Sequence, residues 1–312
     1  MEAIATISRF RLGKPERHQN LWIVPVFSDE EGTHPYLSLK EALQRELAEI
    51  TEVSEGGSVP ELRVQNKAAL PIVLIDGEEL AGAKQNRIVN TTILLAPQSV
   101  TVIPVSCTEA GRWRYRSAHF SESGNIMSSK ARYAKSSRVK DNLENYQRYD
   151  AGQSEVWGSV DKLHAKMKTM SHTSAMSDVY EQRREDLAAF VEAFPVKEGQ
   201  KGMVALYNKK LAGFDYLSRT EAYKDIHEKL LRSHSIEALA EPVEEAEEQA
   251  ILDEVARFLQ ELEAAPVTSA TPPVGLGTDI RFEDAANSGF KLVYEEEVIH
   301  EYGFRKAVAL EE

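Results

Sequence analysis

The sequence predicts an α+β protein, with an antiparallel β-sandwich or barrel-like N-terminal domain followed by an α+β C-terminal part. Two patterns lead to this prediction. Short apolar runs of strand length recur at close spacing over residues 59–116, which is typical of antiparallel sheets rather than of alternating βαβ units. From residue 154 onward, apolar residues recur at spacings of three or four, which indicates helices.

Changes in composition divide the chain into three predicted parts. Residues 1–116 form a β-rich domain with one amphipathic helix and a polar block between its strands. Residues 117–153 are rich in Ser, Arg, Lys, Asn, Gln and Tyr, which favours a polar connector, a long loop or mobile arm that could include one short helix. Residues 154–312 form the α+β C-terminal part. Its closing strands could pair with each other or return to the first sheet, and the sequence leaves both pairings open.

The strands of the first domain are predicted from apolar or alternating runs that are bounded by turn residues. Pro25 lies inside one of these runs and lacks a backbone N–H, which predicts an edge position or a bulge. Asp76-Gly77 follows another run and is a strong turn signal. The predicted strands are residues 4–12, 21–27, 60–66, 72–75, 88–95 and 99–106.

One amphipathic helix is predicted within residues 36–53. Ser38 and Glu41 have the spacing of a capping box, in which the side chain of each residue hydrogen-bonds to the backbone N–H of the other. The apolar residues that would form its buried face are Leu39, Leu43, Leu47 and Ile50.

The C-terminal part is predicted to contain helices, one hairpin and the closing strands. The hairpin turns at Asn208-Lys209-Lys210, within residues 199–217. An apolar stripe at Ile251, Val255, Phe258, Leu259 and Leu262 predicts one face of the last helix. The predicted helices lie within residues 154–193, 219–241 and 243–264, and a Pro/Gly/Thr-rich loop covers residues 265–278.

Composition excludes several classes of function. The 312 residues carry a formal net charge of −13, which argues against a general nucleic-acid-binding protein. Cys107 is the only cysteine, so an intramolecular disulfide and a multi-cysteine zinc site are excluded. No dedicated metal site is expected, and no pattern points to a particular cofactor. There is no signal-peptide pattern and no apolar run of about 18 residues, so we expect a cytoplasmic protein without a membrane segment.

A polar block, GEELAGAKQNR, separates two apolar strands at residues 77–87. It is longer than an ordinary hairpin loop of about two to five residues. Its carboxylates, amides and guanidinium could together bind a ribose, a phosphate or a base. A solvated loop or a subunit interface are the alternatives. Glu78 and Glu79 are adjacent, so in a strand they would point to opposite faces and at most one could face a given site.

A second block, CTEAGRW, follows a strand at residues 107–113. Cys107 could be a nucleophilic thiol, although a free cysteine after a strand is more often a small buried apolar residue. Glu109 and Arg112 could form a salt bridge, or belong to the same polar site as Glu78 and Arg87. If residues 72–75 and 99–106 pair in one sheet, the two blocks would meet at one end of it.

The tract RWRYRSAHF, residues 112–120, is locally basic and aromatic in an acidic chain. Such a tract could hold a nucleotide or a nucleic-acid backbone. It could instead be an arm that docks on an acidic patch of a second subunit, which is the interpretation we favour.

Several runs of the chain resemble the ARPP-1 domain family, whose name stands for ARG and Rhodanese-Phosphatase-superfamily-associated Protein: YLSLKEAL, LIDGEELAGAKQNRIVNTTILL, IPVSCTEAGRW, GFDYL and KLLRSHSIEAL. The resemblance implies a bacterial protein. The family name implies neighbourhood with ADP-ribosylglycohydrolases and phosphatases, and hence a link to NAD or ADP-ribose metabolism. The motif positions of the central blocks are Gly77, Glu78, Gln85, Asn86, Arg87, Cys107, Glu109, Arg112 and Trp113.

These observations support two hypotheses, and they leave open whether the protein is an enzyme. The first is a site for a nucleotide or ADP-ribose-like ligand at one end of the β-rich domain. Arg87 and Arg112 would hold phosphate, and Glu78 or Glu109 would be the general acid or base. The remaining ligand-binding residues would be Gln85, Asn86 and Trp113. The second hypothesis is a non-enzymatic, homo-oligomeric scaffold or interaction module in a stress or phage-response pathway.

Overall fold

The computed structural model describes residues 5–7, 9–30 and 32–309. In chain order, the strands are β1 (Ala5–Ile7), β2 (Phe10–Leu12), β3 (Glu16–His18), β4 (Leu21–Phe27), β5 (Leu37–Ser38), β6 (Ala48–Glu52), β7 (Glu61–Asn66), β8 (Ile72–Leu74), β9 (Glu78–Gly82), β10 (Arg87–Val89), β11 (Ile93–Leu95), β12 (Ser99–Cys107), β13 (Phe120–Ile126), β14 (Gly202–Tyr207), β15 (Lys210–Leu217), β16 (Val267–Thr271), β17 (Thr278–Glu283), β18 (Asn287–Tyr294) and β19 (Glu297–Arg305). The helices are α1 (Leu39–Gln44), α2 (Ser129–Tyr146), α3 (Gln153–Met167), α4 (Met176–Gln182), α5 (Arg184–Ala193), α6 (Thr220–Ala238), α7 (Glu248–Ala264) and α8 (Lys306–Ala309).

The chain divides into two compact units, each built from segments that are far apart in sequence. Unit 1 comprises Met1–His34, Asp186–Pro272 and Gly277–Glu312, and unit 2 comprises Pro35–Glu185 and Pro273–Leu276. The boundaries that composition suggests, after residues 116 and 153, both fall within unit 2.

Unit 1 is organised around one antiparallel sheet with the strand order β1-β2-β4-β14-β15-β19-β18-β17-β16, and β3 also pairs with β4. The closing strands β17, β18 and β19 pair with one another, and β19 joins β15. The N-terminal strands belong to the same sheet because β4 pairs with β14. The predicted apolar stripe of α7 is confirmed, since its residues are buried in the core cluster of this unit.

Pro25 lies in an interior strand, not at the edge that its sequence position suggests. β4 pairs with β14 on one side, and with β3 and β2 in succession on the other. β3 pairs with residues 21–23 and β2 with residues 26 and 27, so Pro25 lies between the two ladders. No ladder N–H is required at that point, which is why a proline is tolerated there. The carbonyl of Pro25 accepts a hydrogen bond from Gly13 at 2.8 Å.

Unit 2 contains an antiparallel sheet with the order β13-β9-β10-β12-β7-β6 and a smaller sheet with the order β11-β8-β5. The pair β5–β8 is parallel, and the other pairs of this unit are antiparallel among the described strands. Leu62 and Val64, predicted on one face of a strand, are both fully buried in the core of this unit. The α+β class predicted from the sequence is confirmed, with a β-rich N-terminal region followed by helices and further strands.

The amphipathic helix is shorter than predicted. Its capping residue is confirmed, because the Ser38 hydroxyl accepts the backbone N–H of Glu41 at 3.0 Å. However, α1 ends at Gln44, and Glu46 adopts a left-handed φ of 57°. Ile50 then lies on β6, where alternate residues are buried and paired with β7. From Ala48 onward, burial alternates with every second residue, as in a strand. The helical spacing of Leu47 and Ile50 is also compatible with a helix, so the sequence alone does not distinguish the two.

Two further predictions about unit 2 are wrong. Residues 88–95 do not form one strand, because β10 and β11 belong to different sheets and the buried polar residues Asn90, Thr91 and Thr92 carry the chain between them. The connector is not a loop, since it contains β13 and the 18-residue helix α2. The buried face of α2 includes Arg132 and Lys135, so apolar periodicity could not reveal this helix.

Among the helices that the structure describes, none combines the length and the apolar character that a membrane span requires.

Candidate functional site

The two polar blocks lie side by side in the sheet of unit 2. Arg87 of β10 is the direct cross-strand neighbour of Leu80 on β9 and of Cys107 on β12. The loop that precedes Arg87 and the segment that follows Cys107 therefore leave the same end of the sheet. The meeting of the blocks does not depend on pairing between residues 72–75 and 99–106, because β8 pairs with β5 and β11 instead.

Arg112 holds these two segments together. Its Nε donates to Oε2 of Glu109 at 2.8 Å, and its Nη2 donates to Oδ1 of Asn86 at 3.2 Å and lies 2.7 Å from the same Glu109 oxygen. Its Nη1 donates to the carbonyls of Ala83 at 2.8 Å and Arg114 at 3.0 Å. A guanidinium has five N–H groups. Four of them donate in these hydrogen bonds, and the Nη2 side is also ion-paired with Glu109, so Arg112 is far better satisfied within the protein than a phosphate-binding arginine would be.

Glu109 is the ionised partner in this arrangement. It accepts the backbone N–H of Asn86 at 3.3 Å in addition to the contacts from Arg112. Burial raises the pKa of the Glu109 carboxyl, but hydrogen bonds from Arg112 and Thr173 outweigh this, and the pKa lies below its ordinary value. A carboxylate held ionised by a buried arginine is a poor proton donor at neutral pH.

The amides of the loop also bond within the protein. Oδ1 of Asn86 accepts the N–H of Gly82 at 3.2 Å, and its Nδ2 donates to the Ser177 hydroxyl at 3.3 Å. Gly82 has a φ of +135°, and a side chain there would come within 2.7 Å of the His119 carbonyl. Only glycine fits this close approach between β9 and β13.

Arg87 differs from Arg112 because much of its hydrogen-bonding capacity is unused. Its side chain is fully buried, and its Nη1 donates to the backbone carbonyl and to Oε1 of Gln85 at 3.1 and 3.3 Å. Its Nε and Nη2 have no hydrogen-bond partner among the described residues. Burial lowers the pKa of this guanidinium, although an arginine stays charged at neutral pH. Each buried donor without a partner costs about 1–3 kcal/mol, so such groups call for an explanation.

Glu52 faces Arg87 and, like it, has a buried polar atom without a hydrogen-bond partner among the described residues. Its Oε1 lies 4.0 Å from Nη2 of Arg87 and accepts the backbone N–H of Lys84 at 3.3 Å. Its Oε2 is buried and has no hydrogen-bond partner within the part of the chain that the structure describes. Glu52 lies in the stretch that the sequence predicts to be helical, so no sequence pattern marks it as a site residue.

Aromatic side chains cover this pair from the outside. The Arg87 guanidinium carbon lies 5.6 Å from the centre of the Trp113 ring. Nζ of Lys84 lies 5.4 Å from the Trp113 ring and 5.1 Å from the Tyr115 ring. Trp113 and Tyr115 are 47% and 51% exposed, which is unusual for large aromatic residues of a folded domain. Arg87, Glu52, Lys84, Trp113 and Tyr115 are called the Arg87 site below.

Glu78 lies outside this group. On β9, Glu78 precedes Leu80, the cross-strand neighbour of Arg87, by two residues. Two residues of a strand span about 7 Å. Oε2 of Glu78 accepts the backbone N–H of Ile75 at 3.2 Å. Glu79 bonds elsewhere, to the Thr108 hydroxyl at 2.8 Å, and burial raises the pKa of its carboxyl. Of the four residues on which the ligand hypothesis depends, the structure therefore brings together Arg87, Glu109 and Arg112.

A second buried polar cluster surrounds Asp76. The carboxylate of Asp76 pairs with Arg132 at 3.5 Å and with Lys135, both on α2, and all three side chains are buried. Lys135 also donates to the carbonyl of Asn90 at 2.8 Å. In the sequence, Asp76-Gly77 indicates only a turn. Arg132 and Lys135 are three residues apart, which is the spacing of one helical face, and this is the sequence feature that could have indicated the cluster.

Comparison with family models identifies the chain. The family model ARPP-1 matches residues 9–304 of the 312. Its description is the ARG and Rhodanese-Phosphatase-superfamily-associated Protein domain. The chain belongs to the ARPP-1 family. This confirms the resemblance drawn from the sequence runs, and the matched range includes the Arg87 site, the Arg112 contacts and the Asp76 cluster. Comparison with curated proteins and with solved structures gave no match.

The described residues were also compared with the ligand arrangements of metal sites. Within the described residues, no group of three or more His, Cys, Asp or Glu side chains is arranged to hold a metal ion.

Cys107 of this ARPP-1 domain is enclosed rather than exposed. Its side chain is fully buried, and its backbone N–H and C=O bond to the Gln153 amide, both at 2.8 Å. Burial raises the pKa of the thiol to about 11, more than the nearby Arg87 lowers it. The buried apolar interpretation of Cys107 is favoured over the nucleophile.

We expect Cys107 to be unreactive in the folded protein. With a pKa of about 11, the thiolate is roughly a thousandfold less abundant than the thiol at pH 8. A colourimetric thiol reagent should therefore label the native protein negligibly over an hour and label the denatured protein fully. Rapid labelling of the native protein, with unchanged circular dichroism, would contradict the assignment.

Proposed function

We propose that this ARPP-1 protein binds a nucleotide or an ADP-ribose-like ligand at the Arg87 site. The observation that carries the proposal is the buried pair of Arg87 and Glu52, whose Nε, Nη2 and Oε2 atoms have no hydrogen-bond partner among the described residues. A ligand that supplied both acceptors and donors to these atoms would recover the free energy that their burial costs.

The phosphate of the ligand bonds to Arg87. Nε and Nη2 form one edge of the guanidinium and present parallel N–H groups, the geometry that matches two oxygens of a phosphate. Lys84 adds a second positive charge beside the aromatic rings, and its Nζ is anchored by the carbonyls of Glu55 and Gly56 at 2.7 and 2.6 Å. A guanidinium with an adjacent ammonium favours an anion over a neutral sugar.

The rest of the ligand contacts Glu52 and the aromatic rings. Carboxylate oxygens accept hydrogen bonds, so Glu52 selects hydroxyl groups such as those of a ribose. The exposed faces of Trp113 and Tyr115 provide a surface on which a base can stack, at about 1–3 kcal/mol per base. Because Arg87 is fully buried and Trp113 lies over it, the Trp113 ring moves aside when the ligand enters.

In this proposal, Arg112, Glu109, Gln85 and Asn86 position the loop rather than bind the ligand. The Arg112 contacts fix residues 83–86 against the segment after Cys107, and Gln85 holds the Nη1 side of Arg87. The choice of ADP-ribose among nucleotides follows the link to NAD metabolism that the family name implies.

A thermal-shift screen tests the proposal. Wild-type protein is tested with ADP-ribose, NAD, AMP and inorganic phosphate, together with the variants Arg87→Met and Trp113→Ala. We expect at least one nucleotide to raise the melting temperature of the wild type and neither variant to respond. Trp113→Ala changes a half-exposed side chain, so it keeps the test valid if Arg87→Met is poorly folded.

The matched control is Tyr146→Ala, which removes an aromatic side chain that is 70% exposed elsewhere in unit 2. It should respond to the nucleotide like the wild type. If no compound stabilises the wild type, or if both Arg87→Met and Trp113→Ala still respond, the proposal is wrong.

An oligomeric scaffold is the second candidate function, and one observation favours it. Val100 and Val102, on the same face of β12, are 51% and 48% exposed, as in strands that pack against another chain. Light scattering decides this question. A wild-type oligomer that Val102→Lys dissociates, together with no response to nucleotides, would favour the scaffold.

A further inference from the structure

Unit 1 contains a cavity of about 590 Å³ that is separate from the Arg87 site in unit 2. This volume is within the range of small-molecule sites, about 300–1,000 Å³. The cavity lies on one face of the sheet, beside the C-terminal end of α7, where Leu259 and Leu262 form part of its wall. The proposed function of unit 2 does not use this cavity.

The floor of the cavity is a cross-strand row of three side chains. Glu301 of β19 is paired with Tyr216 of β15 on one side and with Lys291 of β18 on the other. Residues directly opposite each other in an antiparallel sheet share a face, so these side chains all line the cavity. Glu301 and Tyr216 are buried, and burial raises the pKa of each.

Arg9 shows how this cavity holds a positive charge. Its guanidinium is ion-paired with Glu301, and it lies 4.6 Å from the centre of the Phe10 ring and 5.2 Å from that of Tyr216. A buried carboxylate and two aromatic faces are the groups that retain organic cations in protein sites. Arg9 therefore already occupies one cation-binding position of this kind.

The described lining is strongly acidic. Six glutamates line the cavity, against Arg9 and Lys291 as the only cations of the described lining. Arg9 is already paired with Glu301, and Lys291 lies 5.7 Å from the centre of the Phe282 ring. A negative field in a partly enclosed, aromatic-lined space attracts cations and repels anions.

The rim contains a turn whose residues do not suit its geometry. Tyr294 and Glu297 are paired, so Glu295 and Glu296 form a two-residue hairpin turn with φ of 47° and 70°. Such a turn favours Asn-Gly, because other residues are strained at positive φ. Here both positions carry exposed carboxylates at the mouth of the cavity.

We propose that this cavity binds a small organic cation with an apolar body, such as an alkyl diamine, between the aromatic rings of its floor and the carboxylates of its rim. One amine contacts Glu263 at the C-terminal end of α7, the hydrocarbon part lies along Leu259 and Phe282, and the other amine contacts Glu296. The binding is independent of the proposed function of unit 2, since the lining residues belong to unit 1 alone.

Isothermal titration with three probes of the same length tests the proposal: 1,5-diaminopentane, pentane-1,5-diol and pentanedioate. We expect the diamine to bind the full-length protein at one site, and the diol and the dianion not to bind detectably. Glu296→Gly should weaken diamine binding about fivefold, the most that one exposed charge pair contributes. With Glu263→Gln added, the loss should reach roughly twentyfold, because exposed charges add nearly independently.

Glu296→Gly also separates binding from folding. Glycine relieves the strain at this position, so the variant should melt at a higher temperature than the wild type while it binds more weakly. The matched control is Glu198→Gln, which removes an exposed charge of unit 1 outside the cavity and should leave diamine binding unchanged.

Three results would overturn the proposal. The diamine does not bind; the diol or the dianion binds as tightly as the diamine; or Glu198→Gln weakens binding as much as Glu296→Gly. The last result would mean that the diamine associates with the acidic surface as a whole.

Discussion

Arg112→Ala is expected to lower the free energy of unfolding by about 3–5 kcal/mol, the typical cost of removing one partner of a buried ion pair. The substitution leaves the Glu109 carboxylate buried with fewer donors, and it removes the contacts to Asn86, Ala83 and Arg114. Urea denaturation followed by circular dichroism measures the change.

Arg114→Ala is the matched control for this prediction. The side chain of Arg114 is exposed, whereas the carbonyl that accepts from Arg112 belongs to the backbone and is kept. We expect a change within about 0.5 kcal/mol. If Arg112→Ala were as stable as Arg114→Ala and lost nucleotide binding instead, Arg112 would be a ligand-binding residue, and its structural assignment would be wrong.

Asp76→Asn is expected to destabilise the protein by a similar amount, about 3–5 kcal/mol. Arg132 and Lys135 are buried around this carboxylate, and an amide of the same shape no longer neutralises either of them. The turn itself is preserved, since Asn-Gly suits a tight turn as well as Asp-Gly. The measured loss therefore reports the electrostatic role of Asp76 rather than its turn propensity.

Asp141→Asn, an exposed change of the same chemistry on α2, is the control and should change the stability little. Both variants are compared by urea denaturation at neutral pH. A loss of less than about 1 kcal/mol for Asp76→Asn would show that other groups already neutralise Arg132 and Lys135.

Parts of the fold could be predicted because local signals agree with the final structure. The apolar run of residues 21–27 is β4, Ser38 caps α1, and the hairpin of β14 and β15 turns at Asn208, whose φ is 55°. Each of these depends on a few neighbouring residues. The physical requirement, a buried strand, a cap or a positive φ, is satisfied by the residue itself.

Predictions failed where tertiary contacts decided the structure. Ile50 has helical spacing from Leu47, yet β6 forms because β7 offers a partner strand. The helix α2 has few aliphatic residues, and its buried face is held by polar pairs such as Lys135 with Asp76. Neither partner is close in sequence, so no local pattern could indicate the contact.

The candidate site, too, could be predicted only where local residues decide the structure. Sequence patterns selected the two blocks that meet in space, because clustered amides, carboxylates and guanidinium groups between strands are uncommon. They could not distinguish Arg87 from Arg112, which differ in the number of internal acceptors within reach. They do not indicate Glu52, which has helical spacing in the sequence but reaches Arg87 from β6.

The most direct test of the account is the affinity of ADP-ribose for the wild type and for Arg87→Met, measured by isothermal titration at fixed salt. We predict binding at one site on the wild type and a loss of about a hundredfold in Arg87→Met. This loss corresponds to about 2.7 kcal/mol, the contribution of one or two hydrogen bonds to a charged group. Equal dissociation constants for the two proteins would show that Arg87 does not bind the phosphate.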